Sequence, residues 1–277
     1  MELNDVEIIY ERKGEKFRLI PIGDIHIGNR GCDLKKLRRV IEWIANKENT
    51  YWIGMGDMID AINYTDKRFD PSTVTPKYLK DLNNAVYEQI SDLKDLFEPI
   101  QEKCIGLHEG NHETTIRRRY HVDVIKNLCQ EWDTPYLGYS AFTRLKFVRI
   151  SKGTKGHGSR ATFTIYSTHG RVGGRKGGAK VNRLEDLMSW FDADIFLMAH
   201  SHKKITTTLT QLGVTGKRGN RRLIYKKKIG AVTGAFLQGY ITQGGIGYTE
   251  LWNYPPTDLG VVKITITPDG RDLHISA

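Results

Sequence analysis

Apolar and polar positions follow two rhythms along the chain. Five short apolar runs, FRLIPIGDIHIG, YWIGMGDMID, CIGLHEGNHE, TFTIYSTHG and DIFLMAHSHK, each end abruptly in a polar cluster. Apolar runs bounded by glycine predict buried strands covered on both faces. Between them the spacing changes to three and four. In DLKKLRRVIEWIANKEN, Leu34, Leu37, Val40, Ile41 and Ile44 form one stripe behind a candidate N-cap, Asp33. In AKVNRLEDLMSWF, Val181, Leu184, Leu187, Met188 and Phe191 do the same. The stretch from about Thr75 to Lys103 also reads as helical, ending near Pro99. This alternation predicts an α/β fold with a mixed, largely parallel sheet up to about residue 204. Beyond it, KITTTLTQLGV, RRLIYKKKIGAVTGAF and GVVKITITPDGRDLHIS are rich in Thr, Val and Ile between turn residues, which predicts antiparallel strands and hairpins.

Ligands of open α/β sheets bind at the carboxyl ends of the strands. The five runs deliver Asp24 and His26, then Asp57, then Asn111 with His112 and Glu113, then His169, then His200 with His202. Any one of these has a plain explanation as a turn residue or a hydrogen-bonded histidine. Five strand ends in succession do not. Carboxylate, imidazole and amide groups together suit manganese, iron or zinc rather than calcium or a thiolate cluster. On a strand, His200 and His202 would face one way with Cα atoms ~7 Å apart. Core histidines, one metal or a pair of metals would all give that spacing.

In the same order, GDIHIG, GDMID, GNHE, THG and AHSH resemble the D-x-H, G-D, G-N-H-[DE], H and G-H-x-H motifs of the calcineurin-like metallophosphoesterases, over residues 23 to 202. Ala199 stands where the family usually has Gly. The resemblance implies a four-layer αββα architecture, mixed sheets in a β-sandwich core flanked by helices. It also implies two divalent metal ions, manganese foremost, with iron, zinc or magnesium as alternatives. By position, Asp24, His26 and His202 would hold one metal, and Asn111, His169 and His200 the other. Asp57 would bridge them, two oxygens on one anion being suited to separating two cations. His112 matches the family's non-ligand catalytic histidine, and Glu113 reads as a group that orients a neighbour. His108, His121, His157 and His274 match no motif and read as structural or solvent-facing.

Composition narrows the setting. A chain of 277 residues accommodates one metallophosphoesterase domain, here with a helical insertion at about 60–103 and a basic hairpin region at about 205–235. The charged start MELNDVEIIYERK is not a signal peptide, and no apolar run reaches the ~20 residues a membrane helix needs. Three scattered cysteines, Cys32, Cys104 and Cys129, read as reduced thiols. A soluble, cytoplasmic protein with no membrane partner is expected, its oligomeric state left open.

The net charge is +10, and no acidic residue lies between Asp194 and Glu250, where nine lysines and arginines fall. Residues 216–228 form a candidate polyanion footprint, which Tyr225 and Tyr240 could augment by stacking on bases. Arg171, Arg175, Lys176 and Lys180 follow His169 among glycines, and Arg117, Arg118 and Arg119 follow GNHE. Of these, Arg171, Arg175, Lys176 and Arg117 are the candidate substrate-binding residues. The expected activity is a phosphodiesterase or nuclease on nucleic acid. A phosphomonoesterase or nucleotide or cyclic-nucleotide phosphodiesterase keeps the chemistry with a smaller substrate. A non-catalytic nucleic-acid-binding or scaffold protein would show eroded ligands, and none is eroded here.

Overall fold

A computed structural model describes residues 1–62, 64–66, 68–150, 159–171, 173–174, 176–241 and 245–277. Among them eleven strands run in the order β1 (Glu2–Tyr10), β2 (Phe17–Ile22), β3 (Thr50–Gly54), β4 (Cys104–Leu107), β5 (Ser140–Arg149), β6 (Arg160–Thr168), β7 (Ile195–Met198), β8 (Lys204–Thr215), β9 (Arg222–Thr233), β10 (Lys263–Thr267) and β11 (Asp272–Ser276). The helices are α1 (Leu34–Ala45), α2 (Ala85–Phe97), α3 (Asn111–Tyr120), α4 (Val124–Glu131), α5 (Gly177–Trp190) and α6 (Tyr248–Leu251).

The five apolar runs become β2, β3, β4, β6 and β7, divided between two mixed sheets of order β11-β10-β2-β3-β4 and β1-β5-β6-β7-β9-β8. Parallel pairing predominates around the runs themselves, while β10 lies antiparallel to β2, β5 to β6, and β8 to β9. Alternation along the strands sorts side chains into layers. Phe17, Leu19, Ile53 and Ile105 of one sheet meet Leu145, Phe163, Ile195 and Ile229 of the other in a core between the sheets. Ile20, Ile22 and Trp52 face the opposite way, onto α1, α2 and α4. Tyr166, Phe196 and Met198 face Leu184, Leu187 and Met188 of α5. The result is the αββα arrangement.

The helices begin and end for local reasons. The Asp33 carboxylate accepts from Lys36 N at 2.9 Å and caps α1, as its sequence predicts. Lys103 Nζ donates to the carbonyls of Ile44, Ala45 and Lys47 at the other end. The helix expected from Thr75 is shorter. The Asp81 carboxylate takes up the backbone N–H of Asn83 and Asn84, which ties residues 81–84 into a turn, and α2 starts at Ala85. It passes at Glu98 into a 3₁₀ turn containing Pro99.

His108, at the end of β4, joins the two sheets. Its Nδ1–H donates to Gly138 O at 2.9 Å, and Nε2 accepts from Ser167 Oγ at 2.7 Å. Burial holds its imidazole down at about 4, against an ordinary 6.5. A base with a depressed folded pKa contributes stability that is complete above its unfolded pKa and is lost as pH falls toward the folded one. Unfolding by urea should therefore show a stability decline between pH 6.5 and 4 of at most about 3 kcal/mol from this group. His108→Asn, which cannot protonate, should remove that share of the slope; an unchanged acid limb would contradict the assignment.

Candidate active site

The ends of β2 and β3 continue side by side after the ladder stops. Asp24 N donates to Gly56 O at 2.9 Å, and Ile25 N and His26 N donate to Asp57 O at 2.8 and 3.0 Å. This course places Asp24, His26 and Asp57 in left-handed backbone, at φ 48°, 56° and 50°. His200 and His202 adopt it as well, at φ 68° and 50°. Such conformations are uncommon outside glycine and collect at functional sites. They also correct one expectation. β7 stops at Met198, so the two histidines are not same-face residues of a strand, and their rings turn to different groups.

Donor atoms of Asp24, His26 and His202 lie within 4.8 Å of one another, and so do those of Asp57, His169 and His200; a third set, His26, Asp60 and His112, shares His26 with the first. Asn111 Oδ1 joins the second group, 3.2 Å from His169 Nε2. Asp57 Oδ2 touches both groups, 3.3 Å from His169 Nε2 and 3.8 Å from His26 Nε2. His169 is aimed by its Nδ1–H, which donates to Met55 O at 2.9 Å and leaves Nε2 toward Asp57.

Whether these residues fit cations can be judged from their unmet valences. Asp24 Oδ1, both ring nitrogens of His26 and Nδ1 of His200 are buried without a hydrogen-bond partner. Buried polar atoms in that state are unfavourable and rare, and four within these donor groups call for a ligand. With carboxylate, imidazole and amide donors, the set fits a pair of divalent metals.

Charge is arranged to match. Burial pushes the Asp24 carboxyl well above the usual range. Burial acts likewise on Asp57, but the imidazoles of His169, His112 and His26 outweigh it and hold that carboxyl well below the range. Burial, with His169 nearby, lowers His200 to about 4, and burial beside His26 holds His202 well below its ordinary value, so both are neutral donors at pH 7. His169 is the exception: burial disfavours its cation, yet Asp57 and Asp24 carry it up to about 10. Among the protein groups alone, this proton balances the carboxylates.

The residues 17–204 match the profile of the calcineurin-like phosphoesterase family. The chain belongs to that family. It is a metal-dependent phosphoesterase, and the family implies a dinuclear divalent metal centre. A crystal structure of a conserved uncharacterized protein of Streptococcus pneumoniae TIGR4, a predicted phosphoesterase, is similar at 13% identity and a TM-score of 0.34, covering 91% of this chain and 84% of that one. No curated protein matches the sequence.

Two parts of the phosphoesterase site rest on residues around the candidate ligands. Glu113 accepts backbone N–H from Gly110 (2.9 Å), Asp57 (3.1 Å), Met58 (2.7 Å) and Ile59 (3.2 Å), tying the start of α3 to the loop after β3. Burial and the neighbouring Asp57 push its carboxyl up to about 7. A side chain at Gly110 would collide with the Asp57 carboxylate, so glycine is required there. Asp60, which the motif reading passed over, is buried, with Oδ1 3.3 Å from His26 Nδ1, and its carbonyl accepts from His112 Nδ1. The second aspartate of GDMID was the available signal.

The basic candidates fare differently. Arg171 and Lys176 are exposed beside the His169 loop, whereas Arg175 lies outside the described residues, as does His157. Arg117 is engaged by Glu109, Nε to Oε2 at 2.9 Å and Nη2 to Oε1 at 2.6 Å. The residues 216–228 are not at the site at all. β9 runs parallel to β7, so the hairpin turn between β8 and β9 lies at the opposite end of the sheet from His200 and His202. Eleven residue steps put it ~36 Å from the start of β8. A surface depression lined by Arg12, Glu15, Asn46, Glu48, Asn49 and Lys103 is also remote, at the other end of β2 and β3.

Metal uptake must displace the proton on His169. Calorimetric titration of manganese in buffers of different ionisation enthalpy should show about one proton released per chain at pH 7 to 8, with affinity rising with pH. Glu113→Gln should weaken metal binding roughly 10- to 100-fold, the range seen when groups supporting ligands are removed. Buffer-independent enthalpies would contradict the first expectation, and unchanged affinity the second.

Proposed function

We propose that this phosphoesterase is a phosphodiesterase acting on nucleic acid, with manganese as its working metal. The observation that carries the substrate class is the charge beside the ligands. Arg171 and Lys203, two residues after His169 and one after His202, form no ion pair among the described residues, in a chain of net charge +10. Uncompensated cations at the rim favour a substrate with several phosphates over one with a single phosphate. The donor set of Asp, Asn and His is compatible with manganese. A reducing, cytoplasmic setting suits the free thiols of Cys32, Cys104 and Cys129, whose pKa values burial raises.

Bound divalent cations supply Lewis acidity and acidify water. The chain's own groups do the rest. Asp24, His26, His202, Asn111, His169 and His200 are the holding residues, and Asp57, in reach of both groups, is the one whose loss both would feel. Its Oδ1 is fixed by His112 N at 2.9 Å. His112 gives its Nδ1–H to the Asp60 carbonyl, so a proton delivered to a leaving oxygen comes from Nε2. Its side chain is 13% exposed, enough to meet a substrate at the surface.

With manganese present, the protein should hydrolyse bis-p-nitrophenyl phosphate. Asp57→Asn should abolish this, and His112→Ala should lower kcat about 10²- to 10⁴-fold while metal content is retained. An inactive, folded, metal-loaded wild type would sink the diesterase reading. Binding of a single-stranded oligonucleotide should weaken steeply with salt. A salt-insensitive KM would favour a mononucleotide or small phosphomonoester instead.

A further inference from the structure

Four strands form the sheet edges: β4, β11, β1 and β8. Edges are ordinarily guarded by shortness, charge, proline or bulges, because their free N–H and C=O groups invite another strand. β4 has four residues and β11 five, and β1 carries Glu2, Asp5 and Glu7. β8 is different. It has 12 residues, and from Ile205 to Thr215 it carries neither a charge nor a proline. Its pairing with β9 is regular throughout, with no bulge.

Among the described residues, the outer part of this hairpin also has no third strand beside it. β7 reaches only Ile229 of β9, so the seven pairs from Leu209 and Lys228 to Thr215 and Arg222 form a two-stranded ribbon. Leu212 lies across from Tyr225, and Val214 from Leu223, all on one face, and they are 59%, 72%, 68% and 60% exposed. Isolated two-stranded ribbons are marginal in water. An open edge on such a ribbon points to a missing strand.

We propose that the missing strand is β8 of a second copy of this chain, paired antiparallel across a two-fold axis near Thr210. The pairing joins the two six-stranded sheets into one. An isologous edge contact closes on itself and leaves no free end. Over most of the seam the uncharged segments 205–215 meet, and the basic side chains of the two β9 strands stay about three strand spacings, ~14 Å, apart, beyond the ~10 Å screening length at 0.1 M salt; only at its ends do Lys203 and Lys204 approach the basic turn of the other copy, where a bound polyanion would balance them.

The register has a consequence for the site. With the axis at Thr210, Lys204 of one subunit lies beside residues 215 and 216 of the other. The turn carrying Lys217, Arg218 and Arg221 then sits near His202 and Lys203 of the partner subunit. A basic turn ~36 Å from the start of its own β8 thus becomes a phosphate-binding element of the neighbouring active site, in trans. This second consequence rests on the polyanion reading above; the pairing itself does not.

Analytical ultracentrifugation of the wild type should give twice the 31.6 kDa chain mass. Thr210→Glu is exposed and faces Lys227 within its own hairpin, so the fold should keep its Tm, while two carboxylates oppose each other across the axis. That variant should sediment as a monomer, and mixing it with Thr210→Lys should restore the dimer. For the trans contribution, the Asp57→Asn chain is mixed with a chain bearing Lys217→Ala, Arg218→Ala and Arg221→Ala. Hydrolysis of an oligonucleotide above the sum of the two alone is expected. A monomeric wild type, a dimer untouched by Thr210→Glu, or open polymers from β8 pairing with the acidic β1 would each overturn the two-fold pairing. So would a monomer that loses oligonucleotide binding on Thr210→Glu, which would give the edge to nucleic acid. A dimer without complementation would overturn the trans contribution alone.

Discussion

Asp24 and Asp57 are both buried at the ends of adjacent parallel strands, where burial and the charge of Asp57 disfavour ionisation of Asp24. Two carboxylates in a dry interior are untenable unless cations or protons balance them. Much of the local structure follows from that constraint. Left-handed turns at Asp24, His26 and Asp57 aim the groups inward, and Glu113 fixes the Asp57 loop through four backbone hydrogen bonds. Gly110 leaves room for the Asp57 carboxylate. Imidazoles drawn from the other sheet, His169, His200 and His202, then close the centre.

Two sheets are needed because one cannot surround the carboxylates. β2, β3 and β4 bring Asp24, His26, Asp57 and Asn111 from one side, and β6 and β7 bring the remaining histidines from the other. The apolar layer between the sheets, with Phe17, Ile53, Phe163 and Ile195, fixes the distance between the two sets. His108 adds a polar link through Gly138 and Ser167. The site's geometry is therefore a property of sandwich packing as much as of its loops.

The candidate donors that the structure brings together were legible in the sequence because each sits at the end of an apolar run, where pattern and chemistry change together. The N-cap at Asp33 and the stripe of α1 were legible for the same reason. What escaped depended on spatial relations that no local pattern encodes. The assignment of β1 and β5 to the second sheet, and the direction in which the β8–β9 hairpin points, are decided by topology. Spatial neutralisation was equally hidden. Lys228 reads as part of a charge run, yet it is buried and donates to the carbonyls of Met188 and Phe191 at the end of α5. Lys204 meets Asp258, and Arg117 meets Glu109. Asp60 was missed because its neighbour in the motif, Asp57, already accounted for the motif.

On the proposed reading, Asp57 would serve both cations of a dinuclear centre, its Oδ2 lying in reach of both donor groups. Metal content per chain, measured by plasma mass spectrometry after dialysis against limiting manganese, tests it most directly. Two ions per wild-type chain, with both reduced in Asp57→Asn, is the predicted result. One ion per chain, or an Asp57→Asn protein that still holds two, would contradict it.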